Sequence, residues 1–350
     1  YLGTTGSAFI TNATAGFEIA FRYAGIGAGD EVLIPAITFA ATMAYPLAVG
    51  AKVVFVDVDP QTLNMDPVDM ERKVTERTKM VVPVHIGGYP VDMDPVMECA
   101  RRHNLVVLED AAHAFGGTYK GRMMGTIGDF GAFSFHEVKN VTSFGEGGIL
   151  VSSLPAAKDL KRARFLGLDM GHAIQDWLYD VTALPGKEGL YIGNNSSSTE
   201  LQAIGLLSQL SRYGEILKIR ERNARYVNTL LGSCPALDVQ LMGDEQTKPT
   251  NHLYLLRIDP AKAGADVRVL RKKLAAKGVT TIPHFAPLYR FTVMQQLGYD
   301  IEAIKESCPV AEEMFLHRFS HLPIYGLSSE QLDYMAKAVL ESIEEMQRGV

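Results

Sequence analysis

The chain has little cysteine. Its three cysteines, Cys99, Cys234 and Cys308, lie far apart among 350 residues and form no C-x-x-C pair. An odd, scattered set argues against a disulfide framework and against a thiolate metal site. It is typical of a reducing compartment, so we expect a cytoplasmic protein. The sequence also lacks H-x-H, H-E-x-x-H and acidic calcium-loop patterns, so it predicts no metal site.

The sequence has no basic block, and its 34 Lys and Arg are outnumbered by 40 Asp and Glu. This balance argues against a nucleic-acid partner. Residues 32–51 carry no charge, but Pro35 and Pro46 interrupt them, which predicts a strand, a loop and a core helix and no membrane span. A basic segment followed by an apolar one is missing from the N-terminus, so no signal peptide is predicted. The first residue, Tyr1, is not Met, so we expect a truncated N-terminus.

Short apolar runs alternate with helix-period segments in the first half of the chain. Apolar residues make up 47% and charged residues 21%, as in globular proteins. Nearly continuous apolar runs are typical of parallel strands buried on both faces. The alternation therefore predicts a doubly wound α/β domain. The predicted strands are 31–35, 52–58, 79–85, 104–110, 131–136 and 147–153, and the predicted helices are 15–24, 68–78 and 93–103.

The second half has a different pattern. A long helix is predicted over residues 198–231, with an apolar face and a charged face. After Gly232 the chain predicts a strand at 252–258, a helix at 265–278, a following segment at 279–283 and a closing helix at 329–347. We expect a large α/β domain over 1–225 with a mostly parallel sheet, and a smaller C-terminal α+β domain over 226–350.

Several residues are typical of a cofactor site. Asp110 ends an apolar strand, where open α/β sheets bind ligands, although a helix N-cap is an alternative. Lys139 follows apolar strand residues, so it is either a solvated surface lysine or a desolvated amine that reacts with an aldehyde. Ser134, five residues earlier, could donate to a phosphate. Small residues at Thr14 and Ala15 open a helix whose N–H groups suit an anion.

Together these elements match what pyridoxal phosphate requires. This cofactor needs a lysine for its aldehyde, an aspartate that keeps its ring nitrogen protonated, and donors for its phosphate. A dinucleotide-binding site is excluded, because no G-x-G-x-x-G follows the first predicted strand. The sequence therefore predicts a pyridoxal phosphate enzyme.

The chain resembles the DegT/DnrJ/StrS family of sugar aminotransferases, which have pyridoxal phosphate fold type I. The matching motifs run through most of the chain in family order, and the central block is highly specific. From the resemblance, we expect the family's leading segment to be missing. The motifs are NATAG (12–16), GDEVLIPAITFAAT (29–42), VVFVDVDPQTLNMD (53–66), VVPVHIGGYPVDMDPVM (81–97), the block at 107–140, GEGG (145–148) and CPVAEE (308–313).

The resemblance implies a set of cofactor contacts. Lys139 would bond to the cofactor aldehyde and act as the catalytic residue. Asp110 would pair with the pyridine nitrogen, and Asn195 would reach the phosphate of a neighbouring subunit, so the active sites would be shared across a homodimer. The other implied contacts are the ring face for Phe39, the ring oxygen for His113, and the phosphate for Thr14, Ala15 and Ser134.

The resemblance also implies a reaction, in which an amino group passes from glutamate or glutamine to a keto sugar through pyridoxamine phosphate. A nucleotide-linked 4-keto-6-deoxy sugar is the first expectation, and a 3-keto sugar or a keto-cyclitol of antibiotic biosynthesis is the alternative. A dehydratase branch carries His in place of the lysine, and Lys139 argues against it. The intact Lys139, Asp110 and Ser134 argue equally against a non-catalytic sugar-binding protein.

The substrate pocket departs from the family pattern. Many members have an arginine in an N-[YF]-R-M-[TS]-E run that helps to bind substrate, where this chain has the serines 196–198. The segment 283–290 is another stretch expected to face the substrate. Its His284, Tyr289 and Arg290 could contact sugar hydroxyls or phosphates, or could be ordinary loop packing.

Overall fold

A computed structural model describes residues 1–172 and 174–349. Its N-terminal half is built on seven strands that form one sheet within these residues, in the order β1-β9-β8-β5-β4-β2-β3. The strands of this half, including a small hairpin of β6 and β7, are β1 (Gly6–Ile10), β2 (Glu31–Pro35), β3 (Lys52–Val56), β4 (Thr78–Val81), β5 (Val106–Asp110), β6 (Thr118–Tyr119), β7 (Arg122–Met123), β8 (Phe130–Ser134) and β9 (Gly148–Ser152).

The sheet is mostly parallel. β8, β5, β4, β2 and β3 run in one direction, and β9 lies antiparallel between β8 and β1. Strands β2, β5 and β8 are buried at every position, which explains why their sequences are continuous apolar runs and do not alternate. The prediction of a large, mostly parallel α/β sheet is confirmed. Edge strand β1 was not predicted from the sequence.

Helices cover both faces of this sheet and begin at identifiable caps. Asn12 caps α1 by accepting from the N–H of Ala15, and Asp66 caps α3 in the same way from Val68. Asn104 ends α4 in the left-handed conformation, with φ of 54°. The helices are α1 (Ala13–Tyr23), α2 (Ala41–Ala48), α3 (Pro67–Arg72), α4 (Met93–His103), α5 (Leu160–Ala163), α6 (Glu200–Leu210) and α7 (Tyr213–Leu231).

The long helix predicted over 198–231 is two helices, because the chain turns at Ser211 and Arg212 between α6 and α7. Thr199 and Gln202 form a capping box at the start of α6. Two short antiparallel pairs precede it, formed by β10 (Leu168–Asp169) with β11 (Asp180–Val181), and by β12 (Leu184–Gly186) with β13 (Gly189–Tyr191).

The C-terminal part has a three-stranded antiparallel sheet of β14 (Leu237–Asp238), β15 (Tyr254–Ile258) and β16 (Phe319–Leu322). The predicted strand at 252–258 and the two predicted helices are confirmed, whereas 279–283 contributes a single bridge, from Ile282 to His321. The helices are α8 (Pro260–Ala263), α9 (Val267–Ala276), α10 (Thr292–Gln296), α11 (Ile301–Ser307), α12 (Pro309–Glu313) and α13 (Ser329–Gln347).

The apolar core is divided between the two parts of the chain. One cluster of buried residues runs from Ala224 to Met346 and lies under the small sheet, α7, α9 and α13. Leu288, Tyr289 and Phe319 instead pack in a cluster under the large sheet. The domain boundary at residue 225 therefore stays a prediction. Among the described residues, none of the helices combines the length and the apolar character that a bilayer crossing requires.

Candidate active site

A cavity of about 770 Å³ opens at the carboxyl ends of the parallel strands. Asp110 ends β5 and Ser134 ends β8, while Thr38 and Val84 follow β2 and β4. Open α/β sheets bind their ligands at this edge. Seven residues that the sequence analysis singled out line the cavity together: Thr14, Phe39, Asp110, His113, Ser134, Lys139 and His284.

Lys139 lies in the loop between β8 and β9. The base of this loop is closed by two backbone hydrogen bonds, from Phe135 to Gly147 at 2.7 Å and from Glu137 to Gly145 at 3.0 Å. Burial lowers the pKa of the Lys139 amine, and the negative charge of Asp110 partly opposes that shift. A lowered pKa increases the fraction of neutral amine, which is the nucleophilic form.

Asp110 places a buried carboxylate on the same cavity. Its side chain is 5% exposed, and burial raises the pKa of Asp110 against the opposing positive charge of Lys139. Oδ1 accepts a hydrogen bond of 3.0 Å from the N–H of Ala112. Residues 111–117 form turns and no helix, so the N-cap alternative for Asp110 is wrong. A buried carboxylate of this kind stabilises a positive charge placed next to it.

Glu109 anchors the end of β5 on the opposite face of the strand. It is fully buried, and its carboxylate accepts from the N–H groups of Gly125, Ile127 and Gly128. Its Oε2 also lies 3.0 Å from Nε2 of the fully buried His85. Each acceptor oxygen is thus satisfied, as a buried carboxylate requires. Glu109 therefore holds the strand end that carries the cavity carboxylate.

Glu109→Ala is expected to lower the free energy of unfolding by about 3–5 kcal/mol, because three buried N–H groups and His85 lose their acceptor. Urea unfolding followed by circular dichroism measures this loss. Glu245→Ala, at an exposed glutamate, is the control and should change stability by less than about 0.5 kcal/mol. Equal stability of the two variants would contradict the anchoring role.

Aromatic rings form one wall of the cavity. Phe39 lines the cavity, is 59% exposed, and its ring centroid lies 5.9 Å from that of Phe285. The His113 ring lies 4.3 Å from the His252 ring, and burial lowers the pKa of both, so both are neutral at pH 7. Nδ1 of His113 accepts from the N–H of Gly87 at 3.2 Å, so Nε2 carries its proton. Such a wall suits a flat cofactor with an oxygen at its rim.

The first turn of α1 lies at another side of the cavity. Thr14 lines it, whereas the N–H of Ala15 already donates to Oδ1 of Asn12 at 3.0 Å, and Ala15 is not among the lining residues. Ser134 is 8% exposed and its Oγ accepts from the N–H of His136 at 3.3 Å. The helix start and this hydroxyl together offer donors to an anion. Asn195 is exposed and outside the cavity, with a backbone bridge to Phe165.

The segment 283–290 places one of its three candidate residues on the cavity wall. His284 lines the cavity. Tyr289 is fully buried and packs edge-on against Phe55 at 5.6 Å, outside the cavity wall. Arg290 donates through Nε to Glu312 at 3.1 Å, also outside the cavity. Residues 288–290 form a 3₁₀ turn, and Leu288 and Tyr289 pack in the cluster under the large sheet, so the structure places Tyr289 and Arg290 away from the cavity.

Other cavity residues were not identified from the sequence. His252, Arg220 and Tyr325 come from the C-terminal half and from α7 and line the same cavity as Lys139. The one signal for His252 is a polar residue placed directly before the apolar run of β15. The described residues contain no cluster of His, Cys, Asp or Glu suited to a metal ion.

Comparisons with known proteins identify the family of this chain. The model of the DegT/DnrJ/EryC1/StrS aminotransferase family matches residues 1–340. The chain belongs to this family. It is 35% identical to the spore coat polysaccharide biosynthesis protein SpsC of Bacillus subtilis, over 98% of this chain and 87% of SpsC. It is 34% identical to the GDP-perosamine synthase of Caulobacter vibrioides, over 89% of this chain and 80% of that protein.

Solved structures of this aminotransferase family have the same fold. The pyridoxamine phosphate form of the putative sugar aminotransferase Spr1654 from Streptococcus pneumoniae superposes with a TM-score of 0.84 and 27% identity, over 99% of this chain and 90% of Spr1654. Its pyridoxal phosphate form gives a TM-score of 0.83 over 99% of this chain and 89% of that chain. The chain is thus a sugar aminotransferase of pyridoxal phosphate fold type I.

The cavity fits pyridoxal phosphate, which is the cofactor. Lys139 has an amine of lowered pKa, which would suit the cofactor aldehyde, and Asp110 has a buried carboxylate, which would suit the ring nitrogen. Phe39 supplies an exposed aromatic face. The start of α1 and Ser134 supply donors that suit a phosphate. This is the donor set that the cofactor requires.

Proposed function

We propose that this aminotransferase transfers an amino group from glutamate or glutamine to a nucleotide-linked 4-keto-6-deoxy sugar and so makes an amino sugar. The observation that carries the proposal is the pairing of Lys139, an amine of lowered pKa, with the buried Asp110 on one cavity. Such an amine suits transamination, whereas the dehydratase branch has no lysine at this position. The similarity to a protein named as a synthase of GDP-perosamine supports a nucleotide-linked sugar.

Each residue has a proposed role in this reaction. The cofactor, when bound, supplies an aldehyde that receives the amino group and an electron-withdrawing ring that stabilises negative charge. Lys139 binds at the aldehyde and then moves a proton from and to the substrate carbon. Asp110 holds the proton on the ring nitrogen, and Phe39 supports the ring face. His113 donates through Nε2 to the ring oxygen, while Thr14 and Ser134 bind the phosphate.

We further propose a cytoplasmic homodimer with shared active sites. Asn195 is exposed and lies outside the cavity of its own chain, so its side chain is available to a second copy. The nearby helix α6 exposes Leu201, Ile204 and Leu207, which are 72%, 60% and 65% accessible. Exposed apolar side chains grouped on one helix favour association. A cytoplasmic location is supported by three free cysteines.

The test follows each half of the reaction in the purified protein loaded with pyridoxal phosphate. Glutamate, then glutamine, is added and the cofactor absorbance is recorded, which we expect to change from the aldehyde form to the amine form. A panel of nucleotide-linked 4-keto-6-deoxy sugars, 3-keto sugars and keto-cyclitols is then added, and products are identified by mass spectrometry. Recovery of the aldehyde form with a 3-keto sugar or a cyclitol alone would overturn the proposed substrate class.

A further inference from the structure

Arg220 places a buried positive charge on the wall of the active-site cavity. It lies on α7, is 6% exposed, and lines the same cavity as Lys139. Neither the cofactor contacts nor the sugar aminotransferase motifs above assign it a role. A cation that is removed from water is costly unless an anion compensates it.

The hydrogen-bond partners of Arg220 in the described part of the chain are neutral. Nη1 donates to the carbonyl oxygens of Asn251 at 3.3 Å and His252 at 3.2 Å. The guanidinium carbon lies 4.1 Å from the ring centroid of Tyr325. The buried Nε has no hydrogen-bond partner within residues 1–172 and 174–349. The guanidinium is therefore held in place by two carbonyl oxygens and an aromatic face, and its Nε–H remains available to donate a hydrogen bond to a ligand.

Arg220 stays cationic at neutral pH. Burial lowers its pKa to about 10, with Tyr213 and Tyr325 opposing the shift, which leaves it protonated at pH 7. The two acidic side chains on the cavity wall have other neighbours, because Asp110 faces Lys139 and the half-exposed Glu146 lies 4.0 Å from His136. An anion that enters the cavity can thus pair with Arg220.

The position of Arg220 relative to Lys139 suits a substrate that reaches both. The ring of His252 is close enough to both side chains that each positive charge lowers the pKa of His252. Nη1 of Arg220 donates to the carbonyl oxygen of the same residue. His252 therefore neighbours both the reacting amine and the guanidinium, and all three residues line one cavity.

The segment 196–198 cannot supply this charge, although many family members have an arginine there. Ser196 donates to Oδ1 of Asn194 at 2.8 Å, and Oγ of Ser198 is buried without a hydrogen-bond partner among the described residues. A substrate carboxylate needs a cationic donor in a desolvated site, and arginine binds it through two parallel hydrogen bonds.

We propose that Arg220 binds the α-carboxylate of the amino-acid donor and positions the donor amine and Cα at Lys139. This rests on the proposed donor being glutamate or glutamine, which share the α-carboxylate. The keto sugar carries no carboxylate at its reacting carbon. The diphosphate of a nucleotide-linked sugar is separated from the reacting carbon by the sugar ring, whereas the α-carboxylate is bonded directly to the reacting Cα. We therefore assign Arg220 to the donor half of the reaction.

The test compares Arg220→Met and Arg220→Lys with the wild-type holoenzyme. Glutarate, a carboxylate that cannot donate an amino group, is titrated by calorimetry, and we expect Arg220→Met to weaken its binding roughly 10- to 100-fold. In single-turnover absorbance measurements, the concentration for half-maximal rate should rise by a similar factor for both glutamate and glutamine. The rate of the sugar half-reaction of Arg220→Met, measured with the keto sugar that the wild type uses, should change less than about 2-fold. Arg220→Lys keeps the charge but cannot form two parallel hydrogen bonds to a carboxylate, so its glutarate binding and donor half-reaction should be intermediate between those of the wild type and Arg220→Met.

Arg257→Met is the matched control. Arg257 is 7% exposed and donates to the carbonyl oxygen of Val239 at 2.8 Å, as Arg220 does to its own carbonyls, but it lies outside the large cavity. Its substitution should leave glutarate binding and both half-reactions unchanged.

The outcomes separate this proposal from the proposed function. Wild-type glutarate binding by Arg220→Met overturns the carboxylate site, and so does an equal loss in both half-reactions. An effect on glutamate alone would assign the γ-carboxylate and overturn the α-carboxylate assignment. If Arg220→Met does not fold, unchanged glutarate binding by Arg220→Lys has the same meaning. If the wild type reacts with neither donor, the proposed function fails, while glutarate binding still reports on Arg220.

Discussion

Lys139→Met is expected to lower kcat by at least about 10³-fold, because proton transfer by a positioned group alone accounts for roughly 10² to 10⁴. The variant also loses the amine that bonds to the cofactor aldehyde. The environment of Lys139 favours both proton transfer and bonding to the aldehyde. Burial lowers the pKa of its amine, and the loop between β8 and β9 holds it on the cavity wall. Steady-state and single-turnover rates with glutamate measure the loss.

The covalent role of Lys139 has a readout that does not depend on turnover. After borohydride reduction of the wild type, mass spectrometry should find the cofactor mass on the peptide that contains Lys139, and the variant should show none there. Lys120→Met is the control, because Lys120 is exposed and paired with Asp94. Cofactor mass on another lysine of the wild type, or near wild-type turnover by Lys139→Met, would contradict the assignment.

The sequence predicted the fold best where one physical rule decides the structure. Apolar runs such as 104–110 predict buried parallel strands, and β5 lies there with every residue buried. The edge strand Gly6–Ile10 was missed, because a five-residue strand in mixed polar and apolar residues has no clear period. The break between α6 and α7 was missed because apolar periodicity continues across Ser211 and Arg212.

The residues of the candidate site also fall into those that the sequence could predict and those that it could not. Asp110, Ser134 and Lys139 could be found because short sequence distances and the rule of carboxyl strand ends place them together. Arg220 and His252 could not, since they reach the cavity through packing of α7 and the small sheet, over long sequence separations. For Tyr289 and Arg290 the sequence left substrate contact and loop packing open, because a loop sequence does not reveal which side faces a cavity.

Asp110→Asn is expected to lower kcat roughly 10²- to 10³-fold, the size of effect seen when one preorganised electrostatic group is removed. The amide keeps an oxygen that can accept from the N–H of Ala112, so the turn after β5 should persist. What is lost is the negative charge that holds a proton on the cofactor ring nitrogen. The loss should deepen as pH rises, because that proton is then less readily retained.

Asp129→Asn is the matched control for the charge of Asp110. Asp129 is a part-buried carboxylate that accepts from the N–H of Val107 at 2.8 Å, and burial raises its pKa too, but it lies outside the cavity. Its substitution should leave the dependence of kcat on pH unchanged. If both variants lose activity equally, or Asp110→Asn keeps wild-type kcat at every pH, the carboxylate has only a structural role. A loss of kcat that is confined to Asp110→Asn and grows with pH would show that the negative charge of Asp110 keeps the ring nitrogen protonated.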